Sequence, residues 1–505
     1  MNHAIRGSNP LLRRQRELRG WSHERVAEEL HAKFSGVAVT GKEVARWERG
    51  KRIPGPYYRE KLIALYGVTA EELGFAVTPL PAAPSSQERA QDTLSYVPSK
   101  GGVLVPLSVM AHIDDFEEVE ERDWATWFAL KQAQILALIH AWSGRALFCD
   151  ELQIHVDREI TMFDQMKPQD GDEAFRLSRR QAIVAIAALP LAVLASTPQR
   201  TTSAPAIEEL LPRCSASITA CWHLLKGSEF SVVEHMVSAY LPTLVQLAQQ
   251  PSGYQKIAAR LATQGYRLKG IVALHQHNLQ ARESYCQRAF HYSEIAEDAS
   301  LLVAALISLA STHYYRNDPI QATYIYQKAL LHMERIPPLQ RSRLSVELAV
   351  VYAQRGQEQE ALHFLKLAQQ VYPDHPENDP SFLYAEFSPA SLFLEEGLTF
   401  LALTEHYPDR EYEQKAWERF AQVEEQQSKS LVPARILFEI TNHQAETALA
   451  LRNQELFRTY LEKGIEGAKA LNSKQRRREA VEVYKQARII WPQESRIKDL
   501  ADLFL

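Results

Sequence analysis

The sequence predicts an all-α protein in two parts, a compact bundle of short helices at the N-terminus followed by a long solenoid of paired helices. Two observations carry this reading. Helix caps and stops follow one another closely through the first 75 residues. Beyond residue 205, small residues recur at helix centres: Gly270, Ala310 and Ala349 stand 40 and 39 residues apart, and each is followed 19 residues later by Ala289, Ala329 or Ala368.

Within the first part, "NPLLRRQRELRGWSHERVAEEL" opens with Pro10, suited to a first helical turn, and the helix runs from Leu11 to Arg19 before Gly20 ends it. Ser22 then caps a second helix from His23 to about Lys33. In "VTGKEVARWERGKRIPGP", Thr40 and Glu43 have the spacing of a capping box, so a third helix starts near Gly41. Val44 and Trp47 share one of its faces, Lys42, Arg46 and Arg49 point elsewhere, and Gly50 with Pro54 supplies the stop. "YYREKLIALYG" and "TAEELGF" give a fourth and a fifth helix.

These residues, Gly20-Trp21-Ser22, Ala27, Trp47-Glu48 and Gly50 with Pro54, resemble the Xre-type helix-turn-helix domain of the lambda-repressor-like family over residues 9 to 75. The resemblance implies that the helix from Gly41 is the recognition helix, that the helix after Ser22 braces it across the phosphate backbone, and that Arg16 pairs with Glu48. It places the DNA contacts on His23, Thr40, Lys42, Glu43, Arg46, Arg49, Lys51 and Arg52. Two departures stand out. His23 takes the place of the family's usual Gln, which would make that contact vary with pH. The segment "HAKFSGVAVT" is longer than usual and changes how far the recognition helix protrudes.

Charge agrees with double-stranded DNA as partner. Residues 1 to 75 hold 14 Lys/Arg against 9 Asp/Glu, a net of +5, while the whole chain is at −5, which leaves −10 for residues 76 to 505. The basic charge is confined to the head. Cys149, Cys214, Cys221 and Cys286 form neither a secreted disulfide framework nor a metal or redox spacing, and a reducing cytoplasm is the expected setting. Twin Arg179-Arg180 before the apolar run 182–195 imitates an export signal or membrane anchor. The run is shorter than the roughly 20 residues a spanning helix needs, so a buried helix and no membrane association are expected.

Residues 76–102, rich in Pro, Ala, Ser and Gly, read as a linker between the domain at 1–75 and the rest. A connecting region of helical pattern, 103–205, includes the acidic run "DDFEEVEERD", suited to a helix start or to an internal mimic of DNA charge. Residues 206–505 form the repeat domain. "LISLASTHYYRNDPIQATYIYQKAL" and "LSVELAVVYAQRGQEQEALHFLKLA", with turns at Asn317 and Gly356, are similar to the tetratricopeptide repeat, although that repeat usually measures about 34 residues. Weaker repeats surround Gly397 and "FRTYLEKGIEGAKALNSKQRRREAVEVYKQARIIWP". Arrays of this kind hold peptides or proteins on a concave face. The first-helix residues Arg267, His275, Tyr314 and Arg343 are the expected effector contacts.

No catalytic motif, cofactor motif or metal set emerges. "HQH" at His275 and His277 lacks a third ligand, and "KQRRRE", 474–479, reads as a solvated helix face. Head and repeats in this order resemble the RRNPP group of peptide-responsive regulators. The resulting expectation is a homodimeric, cytoplasmic, non-enzymatic transcriptional regulator that binds DNA and a peptide, protein or small effector. A protein-interaction scaffold with a vestigial head is the alternative.

Overall fold

The computed structural model describes residues 9–17, 19, 21–34, 39–49, 54–66, 68, 73, 96–98, 104–106, 124–142, 144–165, 173–196, 204–427 and 432–504. They divide into two compact units, Met1–Thr93 and Leu94–Leu505.

The first unit contains α1 (Pro10–Glu17), α2 (His23–Lys33), α3 (Gly41–Glu48) and α4 (Pro56–Tyr66). Leu12, Val26, Leu30, Val39, Val44, Trp47, Leu62 and Tyr66 meet in one apolar core. Ser22 Oγ accepts the Arg25 amide at 3.0 Å to start α2. Glu43 returns to the Thr40 amide at 3.4 Å to start α3, as the capping-box spacing requires. Gly41 has a further reason to be glycine: a Cβ there would lie 2.9 Å from the backbone nitrogen of Glu24. The two helices of the motif touch backbone to backbone. The fifth helix expected from "TAEELGF" lies outside the described residues except for Leu73, which is buried and accepts from Asn9 Nδ2 at 2.8 Å.

In the second unit, β1 (Tyr96–Pro98) pairs antiparallel with β2 (Leu104–Pro106), Val97 opposite Val105. The linker reading of 76–102 missed this hairpin. Apart from it, every regular element described is helical. α5 (Trp124–Ala141), α6 (Cys149–Gln165), α7 (Glu173–Ala187) and α8 (Leu189–Ser196) pack with α9 (Ala204–Lys226), α10 (Phe230–Gln249), α11 (Gln255–His275) and α12 (Leu279–Ala296) around one core that runs from Phe128 to Ala305. The apolar run after Arg179-Arg180 lies in α7 and α8, where Ile183, Ile186, Ala187 and Val193 are buried. No single helix among the described residues is long and apolar enough to cross a membrane, and α7 and α8 together are bent by 41°.

The repeats are antiparallel helix pairs: α11 with α12, α13 (Ala299–Tyr314) with α14 (Pro319–Leu330), and α15 (Pro338–Gln354) with α16 (Glu358–Val371). After the one-turn α17 (Phe382–Ala385) come α18 (Pro389–His406) with α19 (Tyr412–Gln427), α20 (Ala434–Ala450) with α21 (Gln454–Ala470), and then α22 (Lys474–Ile490) and α23 (Ser495–Lys498). The small residues mark the helix crossings. Ala289, Ala310, Ala329, Ala349 and Ala368 are fully buried, and Gly270 faces Cys286 Sγ. In the weaker repeats the small residue takes an aromatic ring instead: a Cβ on Gly397 would be 2.3 Å from the Phe420 ring, and one on Gly467 would be 2.0 Å from that of Phe438.

Turns keep the same register. Seven residues after Gly270, Ala310 and Ala349, His277, Asn317 and Gly356 adopt φ of 55°, 58° and 69°, and Arg452 does so with φ 58° seven residues after Ala445. Each next residue donates its amide back to the first helix, as in Asp318 N to His313 O at 2.9 Å, closing a Schellman turn. Asn278, Asp318 and Asn453 then cap the second helix of the pair. The 48-residue step from Ala349 to Gly397 interrupts the period because residues 372–388 form an extra segment carrying α17.

Candidate nucleic-acid interface and body cavity

The head fixes α3 from behind. Arg16 Nε and Nη2 donate to Glu48 Oε1 and Oε2 at 2.6 and 2.9 Å, and Arg16 Nη1 donates to Trp21 O at 2.9 Å. Glu48 is 4% exposed. The hydrogen bond to this carboxylate raises the Arg16 pKa. His23 Nε2 lies 3.0 Å from Glu48 Oε2, so the ring that the sequence assigns to DNA is also tied to the brace. Val44 and Trp47 are buried beside it, Trp47 against Tyr58 at 5.3 Å between ring centres.

On the opposite side of α3, Lys42 and Arg46 are exposed and make no hydrogen bond or ion pair among the described residues. Arg49 is exposed, with its Nε donating to Ala45 O at 3.0 Å. Thr40 is exposed at the helix start and Glu43 is half-buried. Lys51 and Arg52 lie outside the described residues. A short helix with an anchored acidic and aromatic back and free cations in front can enter the major groove of B-DNA, where Lys and Arg read guanine.

In the body, the first helices of the pairs, α11, α13, α15, α18 and α20, line a cavity of about 110 Å³ that α22 closes. Three of the four residues expected on the concave side, His275, Tyr314 and Arg343, line it. Arg267 does not. It is 1% exposed, lies over Trp222 at 5.2 Å, and donates from Nη1 to Tyr384 O at 2.7 Å. Arg343 donates to the neighbouring Ala385 O. The carbonyls that end α17 are therefore capped by two arginines from the solenoid, and the segment 372–388 is held against the inner helices.

The cavity wall is charged as well as aromatic. Arg343 pairs with Glu347 at 3.0 Å, Arg435 with Glu386 at 2.5 Å and Arg476 with Glu439 at 2.5 Å. Tyr315 OH donates to Glu439 at 2.9 Å, and Tyr326 OH to Glu347. Burial opposes the charge of Arg476, but Glu439 and Glu479 outweigh it and raise its pKa. Burial, reinforced by Arg476, Arg435 and Arg282, holds the His275 pKa well below its ordinary value. His275 is therefore neutral, stacked on Phe230 at 4.2 Å with Nδ1 2.9 Å from Ser473 Oγ.

The run at 474–479 is solvated only in part: Lys474, Arg477 and Arg478 are exposed, but Arg476 is 2% exposed and bound to Glu439 and Glu479. The two histidines of "HQH" meet Ser473 and Gln475. Sequence reasoning also passed over Glu347, Glu395, Glu439 and Arg435. The available signal was acid within apolar helix, "LSVELAVVYA" and "SLFLEEGLTFLAL". Elsewhere the cysteines are buried, and burial pushes Cys149 and Cys221 up to about 12, so neither is a ready nucleophile.

Comparison with known proteins agrees with the head geometry. A family described as "Helix-turn-helix domain" matches residues 11–74, and those residues form a helix-turn-helix domain. No curated protein matches the chain. Among solved structures, "Crystal Structure of Rap Protein Complexed with Competence and Sporulation Factor" aligns at 13% identity over 69% of this chain and 99% of that one, with a TM-score of 0.34. At that score the likeness does not define a common fold, and the function below rests on this chain's own residues.

Proposed function

We propose that this chain is a sequence-specific DNA-binding transcriptional regulator of the Xre type, whose body dimerises and binds a peptide, protein or small effector. The observation that carries the proposal is the construction of α3: a back locked by Arg16, Glu48, Val44 and Trp47, and a front of Lys42 and Arg46, which have no partner among the described residues. Lys42 and Arg46 read base edges. Thr40, Glu43 and His23 lie at the helix starts that approach the phosphates, with Arg49, Lys51 and Arg52 following along the backbone. The effector occupies the cavity, with His275, Tyr314 and Arg343 in its wall and Arg267 supporting the segment that shapes it. In domain terms this is a head at 1–75, a linker at 76–102, a connecting region at 103–205 and a repeat body at 206–505, acting in the cytoplasm.

One recognition helix reads few base pairs, so two heads on half-sites about one DNA turn apart supply useful specificity, and the body sets their spacing. DNA selection from a random pool with the full chain, followed by gel shifts over a salt series, tests the head. The expected result is a two-fold site sensitive to half-site separation, bound with a steep inverse salt dependence. Selection that enriches no sequence, or a full-length protein that sediments as a monomer on its selected site, rejects the corresponding half of the proposal.

A further inference from the structure

Among the carboxylates lining the body cavity, Glu347, Glu386 and Glu439 each have an arginine. The carboxylate of Glu395, on α18 in the same wall, makes no hydrogen bond or ion pair among the described residues. Nor does the hydroxyl of Tyr314, the residue of α13 whose charge balance Glu395 affects most after burial. The phenol rings of Tyr315 and Tyr326 and the ring of Phe387 also line the cavity. An acid, an unshared hydroxyl and aromatic faces are what a positively charged nitrogen with several N–H donors needs: a counter-charge, an acceptor and π faces.

The opposite ligand charge is less well served. Arg282 is the one lining arginine with no carboxylate partner among the described residues, but its Nε and Nη2 donate to Thr312 Oγ1 and Ser311 Oγ at 3.0 and 2.6 Å. Its remaining nitrogen, Nη1, is buried away from the cavity space. A carboxylate entering the cavity would meet no open donor on Arg282, whereas a cation would meet Glu395.

We infer that the cavity binds an alkylammonium group, with Glu395 as counter-ion and the Tyr314 hydroxyl as acceptor. This rests on the reading of the cavity as the effector site and names the chemistry that site selects. The volume suits it: about 110 Å³ is somewhat less than a cavity of ~150 Å³ that takes benzene, enough for an ammonium head and a short stem.

Binding is an exchange of cation for proton. Burial, with Glu347 and Glu439 beside it, holds the Glu395 carboxyl well above the usual carboxylate range, against a smaller opposing pull from Arg343. From α14, Tyr326 donates to Glu347, and from α20, Arg435 is already engaged by Glu386. α16 and α19 face the neighbouring Glu396 instead, through Gln369 and Arg419. The empty cavity therefore favours the protonated acid. The ammonium takes the place of that proton, which leaves to solvent, and the net charge of the cavity is unchanged. Affinity must then rise with pH, by up to about tenfold per unit, until Glu395 ionises unaided.

The test is calorimetric titration of the full chain with n-butylamine, with n-butanol as the uncharged control, at two pH values on the acid side of amine ionisation. Two further arms separate the sources of an ammonium: N-acetyl-Gly-Lys-Gly amide presents a lysine side chain, and Gly-Gly-Gly presents a peptide N-terminus. The expected result is millimolar or tighter binding of at least one amine, release of about one proton, and at least tenfold loss in Glu395→Gln, which is isosteric with the protonated acid. Tyr314→Phe, which removes only the hydroxyl, loses several-fold. No binding by any of the three amines, binding equal to that of butanol, or unchanged affinity in Glu395→Gln overturns the inference. If an amine binds as expected but DNA affinity stays the same, the ammonium site stands and the effector reading falls. If a peptide that alters DNA affinity cross-links within the cavity while all three amines fail to bind, the effector reading stands and the ammonium site falls.

Discussion

Replacing Glu48 with alanine should unlock the recognition helix while leaving Lys42 and Arg46, its base-facing side chains, in place. In the folded head its two oxygens hold three contacts, at 2.6 and 2.9 Å to Arg16 and 3.0 Å to His23, and the side chain is 4% exposed. Removing it leaves the Arg16 guanidinium, itself only 11% exposed, with Trp21 O as its one remaining close acceptor among the described residues and Glu17 at 3.6 Å toward the surface. Breaking a buried pair from one side typically costs ~3–5 kcal/mol. Glu17 can partly replace the lost carboxylate, so the lower end, about 3 kcal/mol, applies to Glu48→Ala. Arg16→Met should cost a similar amount, because it strands Glu48. The double variant, Arg16→Met with Glu48→Ala, removes both charges and should cost about the same as either single change, giving a coupling of about 3 kcal/mol. Hydrogen exchange of the α2 and α3 amides in the full chain reads the opening free energy directly. Losses that simply add, or single losses below about 1 kcal/mol, would refute the view that this pair sets the position of α3.

Three other outcomes are expected. Arg46→Ala should weaken binding to the selected site by about 1–3 kcal/mol and relax preference at one base pair, measured by competition gel shift against random DNA; equal loss on both would assign Arg46 to phosphate. Gly397→Ala pushes a methyl into the Phe420 ring, costing ~1–3 kcal/mol less the ~1 kcal/mol that alanine gains in a helix, and should lower the melting temperature of the full chain; an unchanged or raised melting point would contradict the close crossing. His275 has a folded pKa below its unfolded value, so its contribution to stability is complete above about pH 6.5 and declines as pH falls, by up to ~1.4 kcal/mol per unit, until the folded pKa is reached. Urea unfolding of the wild type and His275→Gln across that window should show a shallower pH slope in the variant, and identical slopes would place the proton elsewhere.

Much of the head was legible, because caps and the Arg16–Glu48 pair are local signals or belong to a compact motif. The spacing of small residues also located the helix crossings and the turns at Asn317 and Gly356. Their equivalents at His277 and Arg452 were hidden because neither residue advertises positive φ. The cavity was only partly legible. Periodicity put His275, Tyr314 and Arg343 on the inner helices, but Arg267 is turned aside by Tyr384, which lies 117 residues away. No local pattern reports such a contact. Likewise, "KQRRRE" looks solvated until the fold brings Glu439 against Arg476.

The contacts between His275 and Ser473 and between His277 and Gln475 each join residues 198 positions apart. In an open array every repeat meets only its neighbours, and whole repeats can be gained or lost with little effect on the rest. Here the end of α11 touches the start of α22, so the number of intervening helices is fixed by the need to bring those two ends together. Duplicating or deleting one helix pair, a change that other solenoids accept over evolutionary time, would separate Ser473 from His275 and open the ring of helices around the cavity. Variation in length should therefore collect in segments such as 372–388, which enter between pairs without changing the count, and this body should diversify by altering its inserts while its number of repeats stays constant.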